Sequence, residues 1–185
     1  MRIIRGNLKG KKLQFINSLT TRPLRDYVKE NIFNIIEHSN LINIEIINSH
    51  VLDAYSGVGS FGIECFSRGA NEVSFVENSN EAIKILKKNL NNLNLDKKAF
   101  LEEKSIINFL NQTNKKFNIF FFDPPYKNKD YINSIKIIKK KNLFKKKHII
   151  IIHREFKTDE NFQDFIDVLM IKTYGRSKII FGTIS

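Results

Sequence analysis

The pattern that most constrains the fold is an alternation of short apolar runs and helical segments from residue 51 onward. The apolar runs predict strands at 51–54, 72–76, 99–102, 117–122 and 148–152. Apolar residues at helical spacing between them predict helices at 61–67, 106–110, 131–140 and, capped by Asn80, through Leu93. Such alternation is typical of a parallel sheet with helices on both faces. Two last runs, 168–172 and 178–184, predict a closing antiparallel hairpin around Tyr174-Gly-Arg.

The first forty residues follow a different pattern. Residues 1–20 alternate short apolar pieces with Gly and Lys, which predicts a small hairpin or an extended arm. Pro23 interrupts this segment, and apolar residues then recur at helical spacing from Val28 to Ile36. We therefore expect an N-terminal arm and helix over 1–40 and one compact unit over 41–185. A chain of 185 residues leaves no room for a second large core.

The charge of the chain favours a polyanionic partner. The sequence has 31 Lys and Arg against 19 Asp and Glu, a formal net charge of +12. A general bias toward Lys, Asn and Ile is the alternative explanation. Arginine is the more informative cation, because its planar fork can bind a phosphate at two points. The first 30 residues contain four of the seven arginines, and we predict RNA contacts there by Arg2, Arg5, Arg22, Arg25 and Lys29. The lysines of 139–147 are predicted to be solvated.

Several classes of protein are not expected. Cys65 is the only cysteine, so neither an intramolecular disulfide nor a clustered-cysteine zinc site is available, and we predict no metal site. A metal ion bound by His148 and His153 would need further ligands at a plausible spacing, and we find none in the sequence. No apolar run approaches the length of a membrane span, and residues 1–12 lack the apolar segment of a secretory signal. We expect a soluble cytoplasmic monomer.

A glycine-rich loop follows the first strand of the repeat. The segment from Asp53 to Gly62 contains Gly57-x-Gly59-x-x-Gly62 and opens a helix, where free N–H groups favour a ligand with negative or polar groups. Nicotinamide enzymes and S-adenosylmethionine-dependent methyltransferases share this loop, and a turn without a ligand is the remaining alternative. Asp53 favours the methyltransferase, because a carboxylate repels pyrophosphate and attracts the methionyl ammonium. Glu77, eighteen residues after Gly59, is placed to bind ribose hydroxyls.

A second motif, Asp123-Pro-Pro-Tyr126, ends an apolar strand. We expect that strand to lie beside the first one, so that Asp123 and the glycine loop face one cleft. The Asp123 carboxylate and a rigid proline carbonyl could accept both N–H bonds of an exocyclic amine, and Tyr126 could stack on the base. This pattern indicates methylation of a base amine, with a plain Asp-Pro turn as the alternative.

These motifs resemble those of amino-methyltransferases with an Asp-Pro-Pro-Tyr signature and, in particular, the RsmD family, which methylates guanine N2 in 16S ribosomal RNA. Nearly the whole chain contributes, through Met1-Arg-Ile-Ile-Arg-Gly, Gly10-Lys-Lys-Leu, Thr21-Arg-Pro, Val51-Leu-Asp-Ala-Tyr-Ser-Gly, Ser67-Arg-Gly-Ala, Phe75-Val-Glu-Asn and Tyr174-Gly-Arg. The resemblance implies a Rossmann-like class I methyltransferase fold with a mostly parallel, seven-stranded α/β sheet. It also implies ribosomal RNA as the partner, free or within an assembling small-subunit ribonucleoprotein.

The resemblance also implies roles for individual residues. The residues expected to bind S-adenosylmethionine, and the product S-adenosylhomocysteine, are Asp53, Tyr55, Gly57, Gly59, Glu77, Asn78 and Ser105. The residues expected to bind the target base are Asp123, Pro124 and Tyr126. The helix that faces the RNA in this family would contain Arg22, Asp26, Lys29 and Glu30. The chain departs from the family where Leu24 replaces a hydroxyl residue, where Ser105 replaces a longer acid, and at His153, where an acid is usual.

Three other functions remain open. The same chemistry could act on another RNA or DNA base, such as adenine N6. The chain could also be a non-catalytic RNA-binding module, which the intact Asp123 and Gly57 disfavour. A nicotinamide-dependent oxidoreductase is disfavoured by Asp53.

Overall fold

A computed structural model of the chain describes residues 1–15, 24–125, 128–159, 161–162 and 164–185. In these ranges the chain forms five helices, which are α1 (Asp26–His38), α2 (Ser60–Ser67), α3 (Asn80–Asn92), α4 (Ile106–Gln112) and α5 (Tyr131–Lys141). Its seven strands are β1 (His50–Ala54), β2 (Glu72–Glu77), β3 (Ala99–Glu103), β4 (Phe117–Phe122), β5 (Phe144–Glu155), β6 (Asp167–Tyr174) and β7 (Ser177–Thr183). None of these helices combines the length and apolar character needed to cross a membrane.

The strands form one sheet in the order β3-β2-β1-β4-β5-β7-β6. The first five strands pair in parallel, and β7 pairs antiparallel with both β5 and β6. The predicted mostly parallel sheet with a closing hairpin is therefore confirmed. β1 has β2 on one side and β4 on the other, so the chain reverses its direction of winding at β1. Ligands of such sheets bind beyond the carboxyl ends of the strands at this reversal.

Two boundaries differ from the sequence prediction. β5 begins at Phe144 rather than at residue 148. The sequence prediction missed its first half because that half is lysine-rich and only the apolar second half is buried. A shift in register between Phe117 and Ile119 separates these halves in the pairing with β4. The N-cap of α3 is Ser79 and not Asn80, since the Ser79 hydroxyl accepts a hydrogen bond from the Ala82 amide.

The sheet separates two apolar cores. The core on one face contains α1, α2 and α3 and the inward side chains Ile149 and Ile151 of β5. The core on the other face contains α4 and α5 and the alternate β5 side chains Ile150 and Ile152. This alternation follows from the two-residue period of a strand.

The N-terminal arm is a small hairpin that packs on the first of these cores. Arg2 and Lys12 form an antiparallel bridge, and the Ile3 amide donates to the Lys11 carbonyl at 2.9 Å. Ile3 and Leu13 are buried in the same cluster as the apolar residues of α1. The predicted hairpin is thus present among the described residues, and residues 16–23, including Arg22, lie outside them.

An ionic cluster, called here the Glu64 cluster, holds this arm in place; it consists of the buried side chains of Lys29, Glu64 and Arg68 and of the more exposed Glu37. Glu64 is 0% exposed and accepts from the Ile4 and Arg5 amides at 2.8 and 3.0 Å. It also pairs with Lys29 Nζ at 3.5 Å and Arg68 Nε at 3.0 Å. Arg68 continues the cluster to Glu37.

The structure corrects the prediction that Lys29 contacts RNA. The side chain of Lys29 is 0% exposed and donates to the Arg2 carbonyl at 2.8 Å as well as pairing with Glu64. Burial lowers the pKa of Lys29 below its ordinary value, although the Glu64 carboxylate opposes this effect. Lys29 is therefore a structural cation that holds the arm on α1.

Candidate active site

Three acids gather where β1, β2 and β4 end. Asp53 lies in β1, Glu77 ends β2, and Asp123 follows β4 directly. Burial raises the pKa of the Asp53 carboxyl well above its ordinary value, and the charges of Asp123 and Glu77 raise it further. Asp53 Oδ2 accepts a hydrogen bond from the Gly62 amide at 2.9 Å, which ties this strand to the first turn of α2.

The glycine loop between β1 and α2 exposes its backbone at one position and packs closely at another. Gly59 has a φ of +85°, and a Cβ there would meet Leu86 Cδ1 at 2.4 Å. Gly57, with a φ of +55°, has no heavy atom within 4 Å of the place where a Cβ would stand. Gly59 is therefore required by the turn, whereas Gly57 leaves room for a ligand to approach the backbone.

Glu77 closes the glycine loop with its own carboxylate. Its Oε2 accepts from the Gly57 amide at 2.7 Å, and its Oε1 accepts from the Asn78 and Ser79 amides at 2.9 and 2.8 Å. A carboxylate has about four acceptor positions, so three amides leave capacity for a further donor. Glu77 can therefore hold the loop and a hydroxyl group at the same time.

A cleft of about 140 Å³ adjoins this loop. It brings together four of the predicted cofactor residues, Tyr55, Glu77, Asn78 and Ser105. Burial raises the pKa of the Tyr55 hydroxyl to about 12, so this group stays a neutral donor at physiological pH. Ser105 is the N-cap of α4 and accepts from the Asn108 amide at 3.2 Å, which leaves its own O–H available as a donor.

The Asp123-Pro-Pro segment lies against the end of β1. The Asp123 amide approaches the Ala54 carbonyl at 3.4 Å, because β1 and β4 are parallel neighbours. The Asp123 side chain is 24% exposed. Arg154 Nη1 donates to the carbonyls of Pro124 and Pro125 at 3.5 and 3.3 Å, which fixes this turn. Tyr126, the fourth residue of the motif, lies outside the described residues.

His153 of β5 holds the Asp123 carboxylate from the side of the sheet. Its Nδ1 lies 2.9 Å from Asp123 Oδ1, and its Nε2 lies 2.9 Å from the Ser177 hydroxyl. The side chain of His153 is buried, so these two partners determine its orientation. Asp123, His153 and Ser177 thus form a hydrogen-bonded chain that leads from the end of β4 to the start of β7.

The sequence analysis missed the roles of His153 and Arg154. His153 was noted only as a departure from the family, and Arg154 was not singled out. One signal was available for Arg154: in a chain that favours Lys, an arginine on a buried strand indicates a need for several donors. No local pattern indicated Ser177, since its contact depends on the pairing of β5 with β7.

The remaining predicted RNA-contacting residues differ in their surroundings. Arg2 is largely exposed, although its Nε lies 3.9 Å from the Asp26 carboxylate. Arg5 Nη1 pairs with Glu37 Oε2 at 2.8 Å, and Arg25 is exposed at the N-cap of α1. The Cys65 thiol is fully buried, as expected of a core side chain. Within the described ranges, no three His, Cys, Asp or Glu side chains gather as metal ligands.

The strand order, the glycine loop after β1 and the Asp-Pro-Pro turn after β4 together define a class I methyltransferase. Known proteins agree with this class. A structure of an Escherichia coli protein assigned as a methyltransferase superposes with a TM-score of 0.85 at 25% identity, covering 100% of this chain and 98% of the other. A Haemophilus influenzae structure assigned as a methylase gives a TM-score of 0.77 at 29% identity, covering 98% and 96%.

The sequence comparisons identify the family. The model of the family described as "Conserved hypothetical protein 95" matches residues 1–183. Ribosomal RNA small subunit methyltransferase D of Buchnera aphidicola (subspecies Baizongia pistaciae) is 34% identical over 155 residues, 84% of this chain and 76% of that protein. The protein of that name from Haemophilus influenzae is 34% identical over 158 residues, 84% and 79% of the two chains. The chain belongs to the RsmD family of methyltransferases.

Proposed function

We propose that the protein transfers a methyl group from S-adenosylmethionine to the exocyclic N2 amine of a guanine in 16S ribosomal RNA. The observation that carries this proposal is the position of Asp123. Its partly exposed carboxylate directly precedes Pro124 and lies at the same sheet edge as the glycine loop. The names of the relatives, which refer to small-subunit ribosomal RNA, support the choice of substrate.

The charges at this edge favour a cationic cofactor. Among the described residues, no Lys or Arg forms an ion pair with Asp53, Glu77 or Asp123, although the chain carries a net charge of +12. The sulfonium and ammonium groups of S-adenosylmethionine would meet these acids favourably, whereas the pyrophosphate of NAD would be repelled. When bound, S-adenosylmethionine would supply an electrophilic methyl group.

The residues around the cleft suit the two ends of this cofactor. Asp53 and the glycine loop, with its accessible backbone at Gly57 and its tight turn at Gly59, would hold the methionyl end. Glu77 would hold the ribose hydroxyls while it keeps its bond to the Gly57 amide. Tyr55, Asn78 and Ser105 line the part of the cleft that would receive the adenine.

Asp123 and Pro124 would prepare the amine for attack. The lone pair of a base amine is conjugated into the ring, so the amine is a poor nucleophile. If the Asp123 carboxylate and the Pro124 carbonyl accept its two N–H bonds, the lone pair turns out of the ring plane toward the methyl group. As the N–C bond forms, the amine N–H becomes acidic and Asp123 can take the proton. Alignment supplies most of the rate enhancement, with effective molarities on the order of 10⁵ M or more.

The basic N-terminal region would bind the RNA. Residues 1–40 contribute Arg2, Arg5, Arg22 and Arg25, of which Arg2, Arg5 and Arg25 are exposed in the described structure. Residues 41–185 would then carry the methyl transfer. Phosphate contacts of this kind position an RNA without reading its sequence.

The experiment that tests this proposal is nucleoside mass spectrometry. The purified protein is incubated with 16S ribosomal RNA, either free or as assembled subunits, and with S-adenosylmethionine carrying a deuterated methyl group. We expect deuterated N2-methylguanosine. Deuterated N6-methyladenosine would instead establish the alternative base. No transfer to either RNA form, together with binding of NAD, would overturn the proposal.

A further inference from the structure

Aromatic side chains surround the turn that joins β6 to β7. Tyr27 of α1 is 63% exposed, and its ring lies 5.7 Å from that of Tyr174 in an edge-to-face arrangement at 88°. Phe156 is 55% exposed, and its amide donates to the Arg176 carbonyl within the turn at 2.9 Å. Large exposed aromatic rings grouped in this way commonly mark a binding surface.

This aromatic group lies on the same face of the sheet as the Asp123 carboxylate. Tyr174 packs against the core that contains α1 and the β5 residues Ile149 and Ile151, and His153 follows them on that face of β5. Tyr174 also pairs with Ser177 across the turn, and the Ser177 hydroxyl contacts His153, which holds Asp123. The aromatic group therefore shares a sheet face with Asp123 and is connected to it through Ser177 and His153.

The surroundings of the group match single-stranded RNA. Arg25 precedes Tyr27 by two residues, Arg176 lies in the turn beside Tyr174, and both arginines are exposed. Aromatic rings next to cationic side chains are the pattern by which proteins bind unpaired bases and the phosphates between them. The Tyr174 ring supports the Tyr27 ring from one side, which leaves the outer surface of Tyr27 accessible.

We propose that Tyr27, supported by Tyr174, is a stacking platform for an unpaired base that flanks the target nucleotide. This inference rests on the proposed function. An amine can reach Asp123 only if its base leaves the stack, and a neighbouring base then loses a stacking partner. The exposed face of Tyr27 replaces that partner, so the platform selects RNA in which the target lies in an unpaired segment.

The test measures binding of a short single-stranded RNA with 2-aminopurine beside a guanine, in the presence of S-adenosylhomocysteine. Stacking on an aromatic ring quenches 2-aminopurine fluorescence. We expect Tyr27→Leu to weaken binding about fivefold to 150-fold, the loss expected for one stacked base, and to reduce the quenching. Tyr27→Phe keeps the ring and should bind like the native protein. Thermal melting verifies that both variants are folded.

Phe100→Leu is the matched control, because Phe100 is also an exposed aromatic side chain beside a cation. It is 45% exposed, and its ring centroid lies 3.3 Å from Lys115 Nζ. Phe100 belongs to β3, at the opposite edge of the sheet. Unchanged binding by Tyr27→Leu, or an equal loss with Phe100→Leu, would overturn the platform. Binding is measured without methyl transfer, so the absence of methylated guanosine would overturn the proposed function and leave this result intact.

Discussion

The Glu64 cluster and the carboxyl edge of the sheet both remove acids from water, but they satisfy these acids differently. Glu64 meets two cations and two backbone amides, all from within the chain. Asp53, Glu77 and Asp123 receive hydrogen bonds from amides and from His153, but no Lys or Arg in the described ranges pairs with them. The first arrangement is complete without a ligand. The second lacks such counter-charges among the described residues, as a site that receives a cationic ligand would, and we expect this difference to separate a structural cluster from a reactive one.

The largest effect should come from Asp123→Ala. We expect methyl transfer to fall by about 1,000-fold or more, since the variant loses both an acceptor for the amine and the group that takes its proton. The affinity for S-adenosylmethionine should change little, because the glycine loop and Glu77 are intact. Single-turnover kinetics and calorimetry measure the two quantities. Activity within a few-fold of native would mean that Asp123 only ends a strand.

Glu64→Gln should have the largest effect on stability. The variant leaves Lys29 and Arg68 without their buried counter-charge, which costs about 3–5 kcal/mol in the free energy of unfolding. Urea unfolding measures this loss. Glu45→Gln is the control, because Glu45 is exposed and the same chemical change there should cost less than about 0.5 kcal/mol. Equal stability of the two variants would show that the cluster does not fasten the arm.

His153 should show an intermediate effect that is specific to catalysis. His153→Ala removes the donor to Asp123, and we expect kcat to fall about 10- to 100-fold, the range for a hydrogen bond to a charged group. His153→Asn places an amide near the position of Nδ1 and should recover part of this loss. Failure of Asn to recover any activity would argue for a packing role instead.

Asp53→Asn should have the smallest effect on stability and the opposite sign from Glu64→Gln. The pKa of Asp53 is raised in the folded state. As pH rises from the unfolded pKa to the folded pKa, the unfolded chain loses this proton while the folded protein keeps it, so the free energy of unfolding falls. Asn can still accept from the Gly62 amide and never ionises. We therefore expect the variant to be at least as stable as the native protein at neutral pH, with the advantage shrinking toward acidic pH. Urea midpoints across pH test this sign, and a destabilised variant would contradict it.

Much of the fold could be predicted because it follows from local patterns. Each buried strand of the parallel sheet is a continuous apolar run, and each helix shows an apolar face. The lysine-rich half of β5 lacked such a pattern and was missed. Ser79 and Asn80 are both capable caps, so sequence alone could not choose between them.

The candidate site was predictable where it is local and not where it depends on register. The glycine loop and the Asp-Pro-Pro turn are contiguous motifs. The contacts of His153 with Asp123 and Ser177 join three strands and cannot be read along the chain. Lys29 shares the buried stripe of α1 with Phe33 and Ile36, which was a signal against an RNA contact, but its partner Glu64 lies on another helix.

The strand order has a consequence for the order in which a growing chain acquires its parts. β1, β2 and β3 are neighbours in the sheet and also the first of the seven strands along the chain. β7 inserts between β5 and β6 and is synthesised last, and it carries the Ser177 hydroxyl that orients His153. A domain generally folds as a unit, and a chain is synthesised at about 5–20 residues per second. Because a domain folds as a unit, the contacts from Ser177 through His153 to Asp123 form only after all seven strands are present, so β7 completes the alignment of the Asp123 carboxylate.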